Sequence, residues 1–281
     1  RMYTGAWGGT MCLTEPQAGT AVGELASTAE PIDGSNEYSI KCSKIFISAG
    51  DHQLTENIVH LVLARVPGDA PGTKGISLFL VPKYRFDATG KVNGANDVTI
   101  AGIEHKMGIN GSSTCSISFG DNGECRGYLI GERSKGIVYM FQMMNEARIT
   151  CGVQGLALGG AAYRVALDYA KERVQGPKMT DRSPSAPSVK IIEHPDVRRN
   201  LMLAKSYSEG MRALLYRAAM HADVSESHPD EATRETAHDL LELLTPICKA
   251  WCTDKGFKVT ELAIQILGGY GYIKEYAVEQ Y

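Results

Sequence analysis

The stretch Met11-Cys12-Leu13-Thr14-Glu15-Pro16-Gln17-Ala18-Gly19-Thr20 gathers groups able to hold a polar ligand. Its first half is short, apolar and β-prone. Glu15-Pro16 then breaks the strand into a loop of small residues, which lets a ligand approach the backbone closely. N–H groups freed in such a loop bind an anion or the polar edge of a heterocycle. A second loop, Lys44-Ile45-Phe46-Ile47-Ser48-Ala49-Gly50, follows the same grammar: β-branched residues, one aromatic ring, one hydroxyl, then a glycine exit. Taken singly, each reads as an ordinary strand end. Glu15, ahead of a proline in a loop, reads as structural. Cys248 and Cys252 lie one helical turn apart with no histidine nearby, which makes them core residues rather than metal ligands.

The wider composition narrows the chemistry. Seven cysteines, odd in number and without a CxxC pair, favour reduced thiols in a cytoplasmic protein over a disulfide framework. With a net charge of −3 and no run of five like charges, nothing advertises a nucleic-acid or anionic-membrane surface. There is no signal peptide and no apolar run of membrane-spanning length, so a soluble protein is expected. Apolar residues make up 43% of the 281, enough for a real core. The chain opens and closes in mid-texture and is expected to be part of a longer protein.

The elements that must position these groups change character midway. Up to about Arg133 the sequence reads as β: Glu37–Cys42, Asn57–Arg65, Ile76–Val81 and Thr114–Phe119 are separated by turn clusters such as Asp33-Gly34-Ser35-Asn36, and Asn93–Asn96 reads as a loop. From Ile137 to Val174 apolar residues recur at three and four, as in a long helix. Two prolines between Asp181 and Ser188 make a loop; Val197, Leu201, Ala204, Tyr207, Met211, Leu214 and Ala218 then mark the stripe of a second helix. A third starts at His228-Pro229-Asp230, with the proline in its first turn, and stops at Gly268-Gly269. The expected class is α+β: an antiparallel β-sandwich or barrel over 1–134, then an antiparallel helical bundle over 135–281.

The paired loops resemble the flavin-contacting segments of the acyl-CoA dehydrogenases, where a TEP-x-AGS/T loop precedes a K-x-W/F-I-S/T-x-G strand. Glu104-His105-Lys106-Met107-Gly108, Asn145-Glu146-Ala147-Arg148 and Gln265-Ile266-Leu267-Gly268-Gly269-Tyr270-Gly271 are similar to later segments of that family, in the same order. The wording is most similar to the 3-methylthiopropanoyl-CoA dehydrogenase-like bacterial subgroup. The resemblance implies FAD and α,β-dehydrogenation of an acyl-CoA thioester, in which a base takes the α proton and the flavin accepts hydride. It implies an electron-transfer flavoprotein or similar acceptor, and a homo-oligomer, dimer or dimer of dimers. By the same resemblance Met11, Leu13 and Thr14 lie along the flavin ring. Thr20 stands near the pyrophosphate or the substrate, and Phe46, Ile47 and Ser48 lie beside the isoalloxazine. Arg173, with Gln265, Gly268 and Gly269, reaches a neighbouring subunit's FAD. Asn145 and Arg148 fall on the helix that contacts CoA, with Asn145 where other members carry aspartate.

The largest departure concerns the base. Most members carry a glutamate beyond the position matching Tyr281, and a minority place it where this sequence has Ala147. Glu146 is one residue away, and one residue turns a side chain by about 100° on a helix. No catalytic residue is therefore assigned, and the stretch by itself is expected not to catalyse dehydrogenation. Two other readings share the motifs. An acyl-CoA oxidase differs by letting oxygen reach the reduced flavin, and a DNA-associated flavoprotein of the alkylation-response type would need a basic surface.

Overall fold

The apolar runs of the N-terminal half become strands in two ways: Thr114–Phe119 alternates buried with half-buried residues, whereas Asn57–Arg65 and Ile76–Pro82 are short continuous apolar runs rich in branched side chains. The computed structural model describes residues 1–281 and divides into two units, Arg1–Met143 and Met144–Tyr281. The first holds β1 (Trp7–Cys12), β2 (Thr28–Pro31), β3 (Glu37–Ser48), β4 (Asn57–Arg65), β5 (Ile76–Pro82), β6 (Tyr84–Phe86), β7 (Val92–Ala95), β8 (Val98–Ile103), β9 (Thr114–Phe119) and β10 (Arg126–Ile130). The main sheet runs β1-β4-β5-β10-β3-β9-β8, and β2 pairs with both β3 and β4. The steps β4-β5-β10-β3-β2 thus return to β4 and close a barrel, the last seam being the parallel pair Thr28↔Arg65. Alternate residues fill it: Val62 and Ala64 of β4, Phe79 and Val81 of β5, Ile117 and Phe119 of β9.

Three local features differ from the expectation. β1 lies parallel to β4, from Trp7↔Asn57 to Cys12↔Val62, in a sheet expected to be antiparallel. Parallel neighbours need a long connection, and residues 13–56, with β2 and β3 among them, provide it. Asn93 to Ala95 is not loop but part of β7, paired with β6. Lys44 to Ser48 is the strand end that its sequence suggested, closing β3, but with an unexpected register shift against β9 between Lys44 and Ile47.

The second unit is helical. α1 (Gly136–Glu172) gives its first two turns to the first unit; the short pair β11 (Val174–Pro177) and β12 (Ser188–Lys190) brackets the proline loop, and α2 (Pro195–Ser227) and α3 (Glu231–Leu267) follow. Pro195 takes the start of α2, whereas Pro229 stands outside the helix it was expected to open. Asp230 is the cap there: its carboxylate accepts from the Thr233 N–H at 2.9 Å, satisfying a donor the helix leaves free. α3 continues across Pro246 and ends at Gly268, whose φ of +60° suits glycine.

α1 and α3 run side by side at glycines. A Cβ on Gly155 would sit 2.6 Å from the Cys252 carbonyl oxygen, and one on Gly256 would sit 2.5 Å from that of Gly155. Cys248 and Cys252 are fully buried in the core with Met211, Leu215 and Val259. A second cluster packs Ala162, Ala166 and Ala170 of α1 against Ile266 and Leu267 of α3. No helix is long and apolar enough to cross a membrane.

The glycine crossing generates a direct test by thermal or denaturant unfolding. Gly256→Ala forces a methyl against backbone that cannot swing away, and is expected to destabilise by about 1–3 kcal/mol. Gly160→Ala, on the same bundle but with open space at its Cβ, is expected to be neutral or stabilising by up to about 1 kcal/mol.

Candidate functional site

β1 carries Thr10 and Cys12 into the barrel, where Thr10 Oγ1 lies 2.8 Å from His60 Nδ1, and period two turns Met11 to the opposite face. Beyond Cys12 the chain leaves the ladder. Glu15 folds back through a tight loop, Gly19 N–H donating to its carbonyl at 2.9 Å, with Gly19 at a φ of +54°. Pro16, Gln17, Gly19 and Thr20 are left exposed. Met11, Leu13 and Thr14 are half-buried.

The second segment meets the first directly. Ile45 N–H donates to the Thr14 carbonyl at 3.0 Å. Beneath that bond is an ion pair wholly out of solvent: Lys44 is 0% exposed, Glu15 is 2% exposed, and Nζ to Oε1 is 2.7 Å. Lys44 also donates to the Leu63 carbonyl at 2.9 Å and to the Leu13 carbonyl at 3.3 Å. Glu15 accepts in addition from Ala26 N–H at 2.7 Å, from Gln17 Nε2 at 2.5 Å and from the Ser27 hydroxyl. All three ammonium protons and both carboxylate oxygens are thereby satisfied, which is the condition for an ion pair to survive burial. Burial pushes the Glu15 carboxyl up, but the Lys44 charge and the hydrogen bonds outweigh it and hold the group below the usual carboxylate range.

The register shift in β3 then aims a side chain outward. Phe46 sits at a φ of +59°, a conformation that costs a non-glycine residue about 1–3 kcal/mol, and is 61% exposed between buried Lys44 and Ile47. The strain thus falls on an exposed aromatic ring. Ser48 is exposed next to it. Ile47 is different: the whole residue is 2% exposed, its side chain lies in the barrel core and its carbonyl accepts from Gly50 N–H at 3.2 Å, so it is not presented to a ligand. The thiols nearby are no nucleophiles, since burial pushes Cys12 up to about 12 and Cys42 up to about 11.

The helical unit brings together the other named residues. Arg173, just past the end of α1, lies with its guanidinium carbon 5.6 Å from the ring centroid of Tyr270, immediately after the glycine turn; its Nε is buried and has no acceptor. Gln265, Gly268 and Gly269 are exposed at that turn. Tyr169, Tyr270 and Tyr276 cluster there, with ring centroids 4.8–6.1 Å apart. On α1, Arg148 Nη1 donates to Asn145 Oδ1 at 3.2 Å across one turn, so those two act as a unit. Sequence reasoning assigned no role to Lys44 or Ser27. The available signal was Lys44 itself, a charge in phase with Ile40 and Cys42 on the inward face of a strand.

Comparison with known proteins agrees along nearly the whole chain. Residues 10–122 match the family model described as acyl-CoA dehydrogenase, middle domain, and residues 134–281 match that described as acyl-CoA dehydrogenase, C-terminal domain. A butyryl-CoA dehydrogenase of Syntrophomonas wolfei is 51% identical over 99% of this chain and 46% of that protein. The 3-methylmercaptopropionyl-CoA dehydrogenase of Ruegeria pomeroyi is 43% identical over 100% of this chain and 47% of that protein. The solved butyryl-CoA dehydrogenase of Megasphaera elsdenii superposes with a TM-score of 0.73 at 26% identity, over 97% of this chain and 61% of that one. The chain spans about half the length of the curated relatives it matches.

Two outcomes follow from the buried charges. Lys44→Met strands the Glu15 carboxylate and is expected to cost about 3–5 kcal/mol in denaturant unfolding, whereas Arg199→Ala, which breaks the solvent-exposed Arg199–Asp196 pair, costs under about 1 kcal/mol. Burial, reinforced by the Lys83 charge, holds His60 down at about 4. The unfolded chain, with an ordinary histidine near 6.5, binds the proton first, so stability falls as pH drops from about 6.5 to about 4, by about 3 kcal/mol in all. His60→Asn is expected to flatten that part of the pH–stability curve.

Proposed function

The chain belongs to the acyl-CoA dehydrogenase family, and on that premise we propose that it is the flavin- and acyl-CoA-handling part of an FAD-dependent enzyme that introduces an α,β double bond into acyl-CoA thioesters. The observation that carries this reading is the direct joining of the two predicted flavin segments, Ile45 N–H to Thr14 carbonyl, with Phe46 turned out beside them. We read 1–134 as the domain of flavin and acyl-CoA contacts and 135–281 as the C-terminal helical domain.

The residues present fit the cofactor. Its pyrophosphate needs a cation with free donors, and Arg173 has a buried Nε without an acceptor. Its ring needs a flat apolar partner and donors at its polar edge; Phe46, Met11 and Leu13 offer the first, and Thr14 and Ser48 the second. Thr20 and Gln265–Gly269 are assigned to the phosphate and adenosine side. Arg173 and the glycine turn are read as serving the flavin of a second copy, which makes the working form a homo-oligomer, dimer or dimer of dimers. Bound FAD supplies the hydride acceptor.

The chain's own residues hold and orient the substrate. Asn145 and Arg148, tied to one another on α1, are assigned to the CoA moiety. No proton acceptor is assigned within residues 1–281: Ala147 cannot ionise and Glu146 faces about 100° away around the helix. An electron-transfer flavoprotein or similar acceptor is the proposed redox partner. Seven free cysteines and the absence of a membrane-crossing helix accord with the cytoplasmic location we propose.

The test is made on the full-length protein. It is expected to purify yellow and to bleach under anaerobic conditions on addition of acyl-CoA thioesters, with butyryl-CoA and 3-methylmercaptopropionyl-CoA in the panel because of the relatives so named. A protein that holds no flavin, or whose flavin stays oxidised with every thioester, overturns the proposal.

A further inference from the structure

Neutralising Glu15 requires one bond from Lys44, yet the ammonium makes three. Its second, to the Leu63 carbonyl, anchors the lysine to β4, and its third reaches the Leu13 carbonyl, which belongs to the loop. That third bond sets a direction. A trans peptide points its C=O and N–H to opposite sides, so a Leu13 carbonyl drawn in toward Lys44 turns the Thr14 N–H away from it. No protein acceptor takes the Thr14 N–H, while the next carbonyl, that of Thr14, is held by Ile45 N–H. A free backbone donor is thus kept in one orientation by a buried lysine, in the segment that faces the ligand.

We propose that Lys44 is a positioning residue for the flavin: through the Leu13 carbonyl it holds the Thr14 N–H outward as a fixed donor to the ring's polar edge. This rests on the flavin-binding reading above and goes beyond it by assigning to a residue with no access to the ligand a part in setting the flavin's redox balance. A donor held in place before charge develops costs no reorganisation when it does. Two-electron reduction adds negative charge to the ring, so a fixed N–H favours the reduced form over the oxidised one. The rest of the Lys44 network is structural, and the two roles separate experimentally. Glu15→Gln removes the ion pair but leaves Lys44 its bonds to the Leu13 and Leu63 carbonyls. Lys44→Met combined with Glu15→Gln removes both charges together, so neither is stranded, and removes the hold on the Leu13 carbonyl.

The experiment uses the full-length flavin-loaded protein and reads the midpoint potential of the bound flavin alongside thermal unfolding. The folded double variant is expected to lose about tenfold in its preference for reduced over oxidised flavin, a potential lower by about 30 mV for a two-electron couple, whereas Glu15→Gln, whose Lys44 keeps its bond to the Leu13 carbonyl but loses its counter-charge, is expected not to fall below the parent value. A double variant that folds, binds flavin and keeps the parent potential overturns the proposal. Should the double variant not fold, hydrogen exchange in the parent decides. Amide exchange at residues 13–15 is expected to slow at least tenfold on flavin loading, and unchanged exchange overturns the proposal. Failure of the flavin reading itself would show in the parent protein as no bound flavin, before any substitution is made.

Discussion

The first unit depends on one buried pair of opposite charges. Taking Lys44 and Glu15 out of water carries a desolvation cost of several kcal/mol per ion, and their attraction offsets it only because every remaining proton and lone pair is occupied. The occupants are what matter. They come from the loop after β1, from the segment before β2 and from β4, so the condition that lets the charges stay buried also ties three stretches of chain together. A hydrophobic pair could fill the same volume without specifying which carbonyl it touches. The ion pair specifies the Leu13 peptide, and β3 then delivers Phe46 and Ser48 a fixed number of residues further on.

That arrangement explains why strain is tolerated where it is. The positive φ at Phe46 falls two residues after a lysine held by three bonds and one before an isoleucine sunk in the barrel. Both neighbours are over-determined, so the backbone between them cannot relax. The helical unit follows a different logic. Its packing rests on the absence of side chains at Gly155 and Gly256, which lets α1 and α3 approach at backbone distance, and its polar feature is a single arginine with an unmet donor. The barrel unit presents a shaped surface; the helical unit presents a charge.

Much of this was legible in the sequence, for identifiable reasons. Asn57–Arg65 and Thr114–Phe119 are strands to the residue, the first legible as a short apolar run rich in branched side chains, the second by its alternation of buried and half-buried residues. The switch to a three-and-four period past Gly136 marked the helices equally well. What stayed hidden depends on long-range geometry. That β1 pairs parallel with β4 is decided by the path of the intervening residues, which local pattern does not encode. Lys44 to Ser48 was legible as a strand end, but the shift of register against β9 within it was not, because pairing with a distant strand decides it. Ile47 was counted among the cofactor contacts because motif position says nothing about which way a bulged strand turns each side chain. The partner of Lys44 lay twenty-nine positions away, and only folding brings it near.

Lys44 and Glu15 work as one unit that joins the loop after β1 to the end of β3. A double-mutant cycle on Lys44→Met and Glu15→Gln, read by denaturant unfolding, measures this most directly. The two single losses are expected to be far from additive, with a coupling energy of about 2 kcal/mol or more and a double variant more stable than Lys44→Met alone. Additive losses, with coupling within about 0.5 kcal/mol of zero, would contradict it.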